Sequence, residues 1–255
     1  LPKVLIVVHL AGAPCDMSKI KELSKKYKFY IIEDASHALG SIYKGSKIGS
    51  CKYSDITVFS FHPVKSITTA EGGLVTTNNN SIYRNLTLFR EHGIERNKKK
   101  FLTNNKTPFS FEQQYLGYNY RLSDVHAALG ISQLKRINLF IKKRNAINKY
   151  YRKKLSKYSI KFQKNLKNSY SSQHLVIANL DEKKRNLLMM TLLKNGFKTN
   201  IHYIPIFFHP FFYKKKYFKN KISTNYYNKA ISLPCYYDLS FKQIDKVIKI
   251  IRKLL

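Results

Sequence analysis

The spacing of hydrophobic positions divides the chain into short strand-like runs and longer helical ones. Val4 to His9 is a compact apolar run rich in β-branched residues, and Asp16 stands where a helix cap belongs. Ile20, Leu23 and Tyr27 then recur at helical spacing, and Phe29 to Ile32 is apolar again. Strand, helix and strand in that order predict a βαβ unit and hence a parallel sheet. Ile56 to Phe61 and Gly73 to Thr77 predict two more strands, joined by a loop rich in Ser, Thr and Gly.

From Ser123 the period lengthens. Val125, Leu129, Leu134, Ile137 and Ile141 predict one long helix that grows more basic toward Lys154 and connects two domains. Beyond it, Gln173 to Ala178 predicts a strand. Asp181 caps a helix running through Leu193, Gly196 stops it, and Lys198 to Ile204 predicts another strand. The last helix opens on the capping box Ser240–Gln243 and carries Ile244, Val247, Ile248, Ile251 and Leu255 on one face.

The expected class is therefore α/β. Residues 1–137 form a large domain on a mainly parallel sheet, and residues 138–255 form the connecting helix and a small C-terminal α+β domain. Because the chain opens on Leu1, already inside a strand, we expect it to begin within a longer parent whose first part is missing here. The longest apolar stretch, Val4 to Ala13, contains His9 and is far short of the roughly 20 residues that cross a bilayer, so no membrane role is expected. Cys15, Cys51 and Cys235 are odd in number, widely spaced and form no metal-type pair, which suits a reducing cytoplasm.

Charge changes the picture less than its size suggests. The formal net charge is +33, but only nine of the 47 basic residues are arginine, and the lysines spread from Lys3 to Lys253. Phosphate and base recognition favours Arg forks, and there is no nucleic-acid motif or dense basic stripe, so no nucleic-acid partner is expected. The runs Lys98–Lys100 and Lys214–Lys216 read as solvated loops. The positive field does favour an anionic substrate such as a nucleotide sugar.

Two segments carry candidate chemistry. Glu33-Asp34-Ala35-Ser36-His37 follows an apolar strand directly, so Asp34 sits at the carboxyl end of a strand in a parallel sheet, where ligands bind. Ser60-Phe61-His62-Pro63-Val64-Lys65 places a lysine in a loop just beyond another apolar strand, with Thr68 to Gly73 supplying small residues around it. That is the setting of a Schiff-base lysine, whose neutral amine burial would favour. An acid at the first position suits the pyridinium nitrogen of pyridoxal phosphate. One lysine among many is ordinarily a surface residue; the spacing of the two segments together argues otherwise.

The stretches EDASHALGS, VFSFHPVKSITTAEGG, LFREHGI and LGYNYRLSDVHAALGISQLKR resemble, in order, the motifs of the DegT-type sugar-nucleotide aminotransferases, and the likeness runs through HYIP at His202 to Pro205 and on to Leu255. The resemblance implies the aspartate aminotransferase-like fold of pyridoxal-phosphate enzymes, fold type I, with its large domain incomplete. It also implies Lys65 as the Schiff-base and proton-shuttling lysine, Asp34 as the pyridinium partner, and Ser60 as a phosphate ligand. Asn119 resembles the residue donated to the phosphate by the neighbouring subunit of a homodimer. His37 occupies a position where many members have Gln, beside the ring and its phenolic oxygen, and His202 and Tyr203 are implied at the sugar site.

His62 is open between a packed and a site residue, and His92 and His126 carry no assignment. The expected reaction is transamination from an amino-acid donor, glutamate, to a nucleotide-linked keto sugar. Within the family, HALGS and LGYNYRLSD look closest to the members that aminate C4 of a UDP-4-keto-6-deoxy-N-acetylhexosamine in pseudaminic acid biosynthesis. A dTDP- or GDP-linked substrate is one alternative, and a basic protein that binds nucleic acid or an anionic surface is the other. Sugar dehydratases of the same family resemble it with His in place of the lysine, and Lys65 argues against them.

Overall fold

The computed structural model describes residues 1–104, 107–213 and 220–255; Lys214–Lys216 therefore lie outside the described residues. By its own contacts the chain divides into two units. The first comprises Leu1–Val8, Asp16–Ser36 and Ser46–Lys135; the second comprises His9–Cys15, His37–Gly45 and Arg136–Leu255.

The first unit is built on β1 (Val4–Val8), α1 (Met17–Tyr27), β2 (Tyr30–Asp34), β3 (Ile56–Ser60) and β4 (Gly73–Thr76). The sheet order is β1-β2-β3-β4. β1, β2 and β3 are parallel, with Asp34 opposite Val8 on one side and Val58 on the other, and β4 returns antiparallel to β3. Asp16 caps α1 as expected, its side chain accepting from the Lys19 N–H. The predicted apolar face of α1 is not its buried one: Met17 and Ser24 are buried, whereas Leu23 and Tyr27 are exposed. Ser24 spends its hydroxyl on the Phe29 carbonyl at 2.7 Å, which fixes the turn from α1 into β2.

The long helix expected from Ser123 is two helices. α2 (Asn80–Arg90) precedes them; α3 spans Asp124–Lys135 and α4 spans Ile137–Lys154. Arg136, with ψ of −1°, separates α3 from α4. The sequence carries the reason: from Leu129 the next apolar position of the stripe is Leu134, five residues on, which is out of phase with a 3.6-residue period. α3 contains no buried residue, whereas α4 buries Phe140, Ile141, Arg144, Ile147, Asn148 and Tyr151.

In the second unit β5 (Val176–Asn179) lies between β6 (Ala230–Leu233) and the two-residue strand Lys161–Phe162, all antiparallel. α5 (Glu182–Lys194), α6 (Lys221–Lys229) and α7 (Phe241–Leu254) complete it. The core joins Ile147 and Tyr151 of α4, Val176 and Ala178 of β5, Leu188 and Leu192 of α5, and Ile244, Val247, Ile248 and Ile251 of α7. The capping box at Ser240 and Gln243 is complete in both directions.

Two predicted strands differ. Gln173 to Leu175 is not strand, because Gln173 adopts φ of +52° and its side chain bonds the Leu175 carbonyl. Lys198 to Ile204 contributes only one bridge, Asn200 to Ser232; the Asn200 carboxamide takes the Ile201 N–H at 2.8 Å and turns the chain away.

Candidate functional site

Strand direction sorts the two acids at the end of β2. Successive side chains point to opposite faces. Glu33 is buried, with Ser54 Oγ and Thr57 Oγ1 both donating to its Oε1, so its role is to hold the sheet. Asp34 faces the other way and is half-buried; its Oδ1 accepts from the Ser36 N–H at 3.0 Å.

The loop between β3 and β4, residues 61–72, holds Lys65. The Phe61 carbonyl accepts from the Thr69 N–H at 3.0 Å and the Thr68 hydroxyl at 3.1 Å, and the Phe61 N–H donates to the Gly72 carbonyl at 2.9 Å. The Lys65 N–H closes a turn onto His62. Partial burial lowers the Lys65 amine below the ordinary lysine value, while the charge of Asp34, close enough to act on it, pulls the other way. Ser60, the last residue of β3, is half-buried and its hydroxyl accepts from the His62 N–H. The first unit thus groups a carboxylate, a partly desolvated amine and a hydroxyl on one end of its sheet.

His62 is exposed, its Nδ1 accepting from the Val64 N–H and its Nε2 lying 3.9 Å from Glu71. Asn119 is exposed as well. Its backbone bridges Glu91, within a segment laid along residues 89–92 by bonds from Tyr118 to Phe89 and from Tyr120 to Arg90. The rings of Tyr118 and Tyr120 stack at 4.8 Å on either side of it in sequence. The backbone N–H of His92 donates to the Tyr118 carbonyl, and that of His126 to the Ser123 hydroxyl.

His37, His202 and Tyr203 belong to the second unit. His37 is buried, and Ala11 donates its N–H to Nδ1 at 3.4 Å. The Tyr203 hydroxyl meets Nε2 at 3.2 Å, and the His174 ring packs on His37 at 4.4 Å. His202 Nδ1 lies 2.7 Å from the Ser232 hydroxyl.

The frame around His37 was not anticipated from sequence. Ser172 donates to the His37 carbonyl at 2.9 Å, Ser41 donates to Gly12, and Ser172 N–H bonds Ser41. A side chain at Gly12, which has φ of +90°, would meet Ser172, the His37 carbonyl and the Gln173 N–H at once, so this crossing needs glycine. The available signal was the polar run Ser171-Ser172-Gln173-His174, all four buried, immediately ahead of an apolar strand. A buried polar run of that length must be built into a hydrogen-bond network.

Residues 2–252 match the family described as DegT/DnrJ/EryC1/StrS aminotransferases. The chain belongs to this family. Among its relatives is the UDP-4-amino-4,6-dideoxy-N-acetyl-beta-L-altrosamine transaminase of Campylobacter jejuni (strain 81-176), 38% identical over 97% of this chain and 65% of the relative. An uncharacterized protein of Methanocaldococcus jannaschii is 36% identical over 99% of this chain and 67% of its own. The chain spans about two thirds of the length of the curated relatives it matches.

Among solved structures, PseC of Helicobacter pylori, an aminotransferase of pseudaminic acid biosynthesis, is similar with a TM-score of 0.89 at 30% identity, covering 98% of this chain and 66% of that one. Spr1654 of Streptococcus pneumoniae in its PLP form gives 0.86 at 28% identity, covering 99% and 69%. The fold is thus that of fold type I pyridoxal-phosphate enzymes, and membership of the family carries dependence on that cofactor. The residues of the first unit fit it: a carboxylate for the ring nitrogen, an amine of lowered pKa for the aldehyde, and a hydroxyl for the phosphate. Among the described residues no cluster of His, Cys, Asp and Glu could hold a metal, and no helix is long and apolar enough to cross a membrane.

Proposed function

We propose that the protein containing this chain transfers the amino group of glutamate to C4 of a UDP-linked 4-keto-6-deoxy-N-acetylhexosamine, in pseudaminic acid or surface-glycan synthesis, as a cytoplasmic homodimer. The observation that carries the reading is Lys65: an amine held below its ordinary pKa, within reach of the Asp34 charge, in a chain of this family. When bound, pyridoxal phosphate supplies the aldehyde that condenses with amines and the ring that accepts their electrons. Asp34 keeps the ring nitrogen protonated. Lys65 would hold the cofactor through its amine and would serve as the acid and base that moves the proton in both half-reactions. Ser60 and a partner's Asn119 hold the phosphate.

The nucleotide and sugar are supported by likeness to the Campylobacter and Helicobacter enzymes. The net charge of +33 supports an anionic diphosphate substrate. A dimer is supported by the apolar surface of the first unit, where Leu116 is 89% exposed, Val125 78% and Tyr120 72%, and where α3 buries nothing. Patches of this kind mark association surfaces. None of the three cysteines forms a disulfide, in keeping with a reducing compartment.

The test uses the full-length protein loaded with cofactor. Borohydride reduction followed by peptide mapping should place the tag on Lys65, and glutamate with the UDP-keto sugar should give 2-oxoglutarate and the amino sugar. A tag on another lysine defeats the site. Turnover of dTDP- or GDP-linked keto sugars alone leaves aminotransfer standing and defeats the UDP reading, and no amination of any keto sugar defeats both.

A further inference from the structure

Packing α4 against α7 gathers cations that lie in separate segments of the sequence. α4 carries no acid, and α7 carries only Asp245. Where these helices end, inside the second unit, two adjoining clefts of about 440 and 560 Å³ share Lys154 and Arg252. Lys249 and Lys253 complete the cationic lining of the first, and Lys153 and Lys157 that of the second. Asp245 is the only acid lining either cleft among the described residues, and its Oδ1 accepts from the Tyr150 hydroxyl at 2.8 Å. None of the six cations is ion-paired among the described residues.

A helix C-terminus attracts cations because its backbone dipole is negative there. That accounts for Lys153, Lys154, Arg252 and Lys253, which stand in the last turns of α4 and α7. It does not account for Lys157, beyond the end of α4, or for Lys249, which precedes the last turn of α7. Arg252 also takes up a carbonyl at the end of α4, its Nη2 donating to Lys154 at 2.9 Å. The two shared cations rest on aromatic rings: the Arg252 guanidinium lies 5.8 Å from the Tyr158 centroid, and the Lys154 ammonium 5.3 Å from that of Tyr150. Like charges gathered in this way repel one another unless an anion neutralises them.

We propose that the paired clefts are an anion site that takes a diphosphate group, one phosphate in each cleft, with Lys154 and Arg252 between them. Both volumes suit a small ligand, and a guanidinium fork matches phosphate oxygens. The diphosphate has two possible sources, inorganic pyrophosphate or a nucleoside diphosphate, and the chemistry of recognition is the same for either.

The test titrates the full-length, cofactor-loaded protein calorimetrically with pyrophosphate, UDP and orthophosphate at about 0.15 M salt. The variants are Lys249→Gln/Lys253→Gln in the first cleft and Lys153→Gln/Lys157→Gln in the second. Lys149→Gln/Lys246→Gln is the control, removing the same charge from exposed positions of the same helices outside both clefts. Each cleft pair should weaken pyrophosphate about tenfold or more and the control less than about twofold, with orthophosphate binding more weakly than pyrophosphate throughout. All the replaced lysines are exposed, so the core is left intact.

Stoichiometry separates the sources. One more equivalent of UDP per chain in the wild type than in the cleft variants assigns a nucleoside diphosphate; an extra equivalent seen only with pyrophosphate assigns the free ion. UDP held at a substrate site persists in every variant, so amination of the keto sugar and occupancy of these clefts are read separately. Affinities unchanged in both cleft pairs, equal weakening in the control, or orthophosphate binding as tightly as pyrophosphate would each overturn the proposal. So would binding of heparin with neither diphosphate, which would make the patch a surface for polyanions.

Discussion

Nη1 of Arg144 donates to the carbonyl oxygen of His174 at 2.9 Å, and the same nitrogen reaches the Cys235 carbonyl at 2.8 Å. Arg144 is 7% exposed, and its Nε has no partner among the described residues. One buried cation thus ties the loop that stacks on His37 to the segment after β6. Burial pushes the neighbouring Cys235 thiol up to about 11 although the Arg144 charge opposes this. Arg144→Met should remove the charged donor from both carbonyls and lower the unfolding free energy by about 2–3 kcal/mol, since hydrogen bonds from charged donors are the strong ones. Chemical denaturation reads this. An unchanged midpoint would mean that the loop is held by Ser172 and Gln173 without Arg144.

Asp34 and Lys65 give a prediction with a definite sign. Burial lowers the lysine pKa and Asp34 raises it, so Asp34→Asn should lower it further and increase the neutral fraction at pH 8. Competitive acetylation, followed peptide by peptide, should find Lys65 labelled faster than the exposed lysines in the cofactor-free protein and faster still in Asp34→Asn. Slower labelling in that variant would contradict the electrostatic assignment.

How far these residues could be read from the sequence depended on whether the cause was local. The places of Asp34, Ser60 and Lys65 were legible because Asp34 and Ser60 close apolar strands, Lys65 lies in the loop just beyond the second, and parallel strands end on a common edge. The Asp16, Asp181 and Ser240 caps were legible because a cap is a contact between residues two or three apart. The facing of α1 was not, since Ser24 is buried by a bond to Phe29 and apolar spacing carries no record of that choice. The frame of His37 was hidden for a stronger reason. Ser172 and His37 are 135 positions apart, and no pattern within either segment specifies the other.

Glu95 links the β-bridge region after α2 to pH. Its burial favours the neutral acid, but the Asn97 N–H at 2.8 Å and the Arg84 side chain at 2.9 Å, with the charge of Arg84, outweigh it and hold the carboxyl below its ordinary value. A carboxylate with a depressed native pKa contributes stability that is complete above the unfolded value near 4.5 and is lost as pH falls through the native value. Glu95→Gln should therefore cost on the order of 1 kcal/mol at pH 7, with the gap to wild type closing below about pH 4. A gap independent of pH would assign the loss to packing.

The proposed homodimer makes a prediction that neither subunit can satisfy alone. If Asn119 is donated across the interface, Lys65→Ala and Asn119→Ala subunits are each inactive as homodimers, yet a mixed dimer contains one site with Lys65 from one subunit and Asn119 from the other. The surroundings of Asn119 suit donation. Its side chain is exposed and makes no hydrogen bond among the described residues, while its backbone is pinned to Glu91 and flanked by the stacked Tyr118 and Tyr120. The group is thus held firmly by its main chain and presented outward. Free exchange at equal concentrations makes half the dimers mixed, each with one intact site, so activity should recover to about a quarter of wild type. Recovery should grow with incubation as subunits exchange and should vanish when both substitutions are placed in the same chain. A fully active monomer, or no recovery after exchange is shown by mass spectrometry, would remove Asn119 from the shared site.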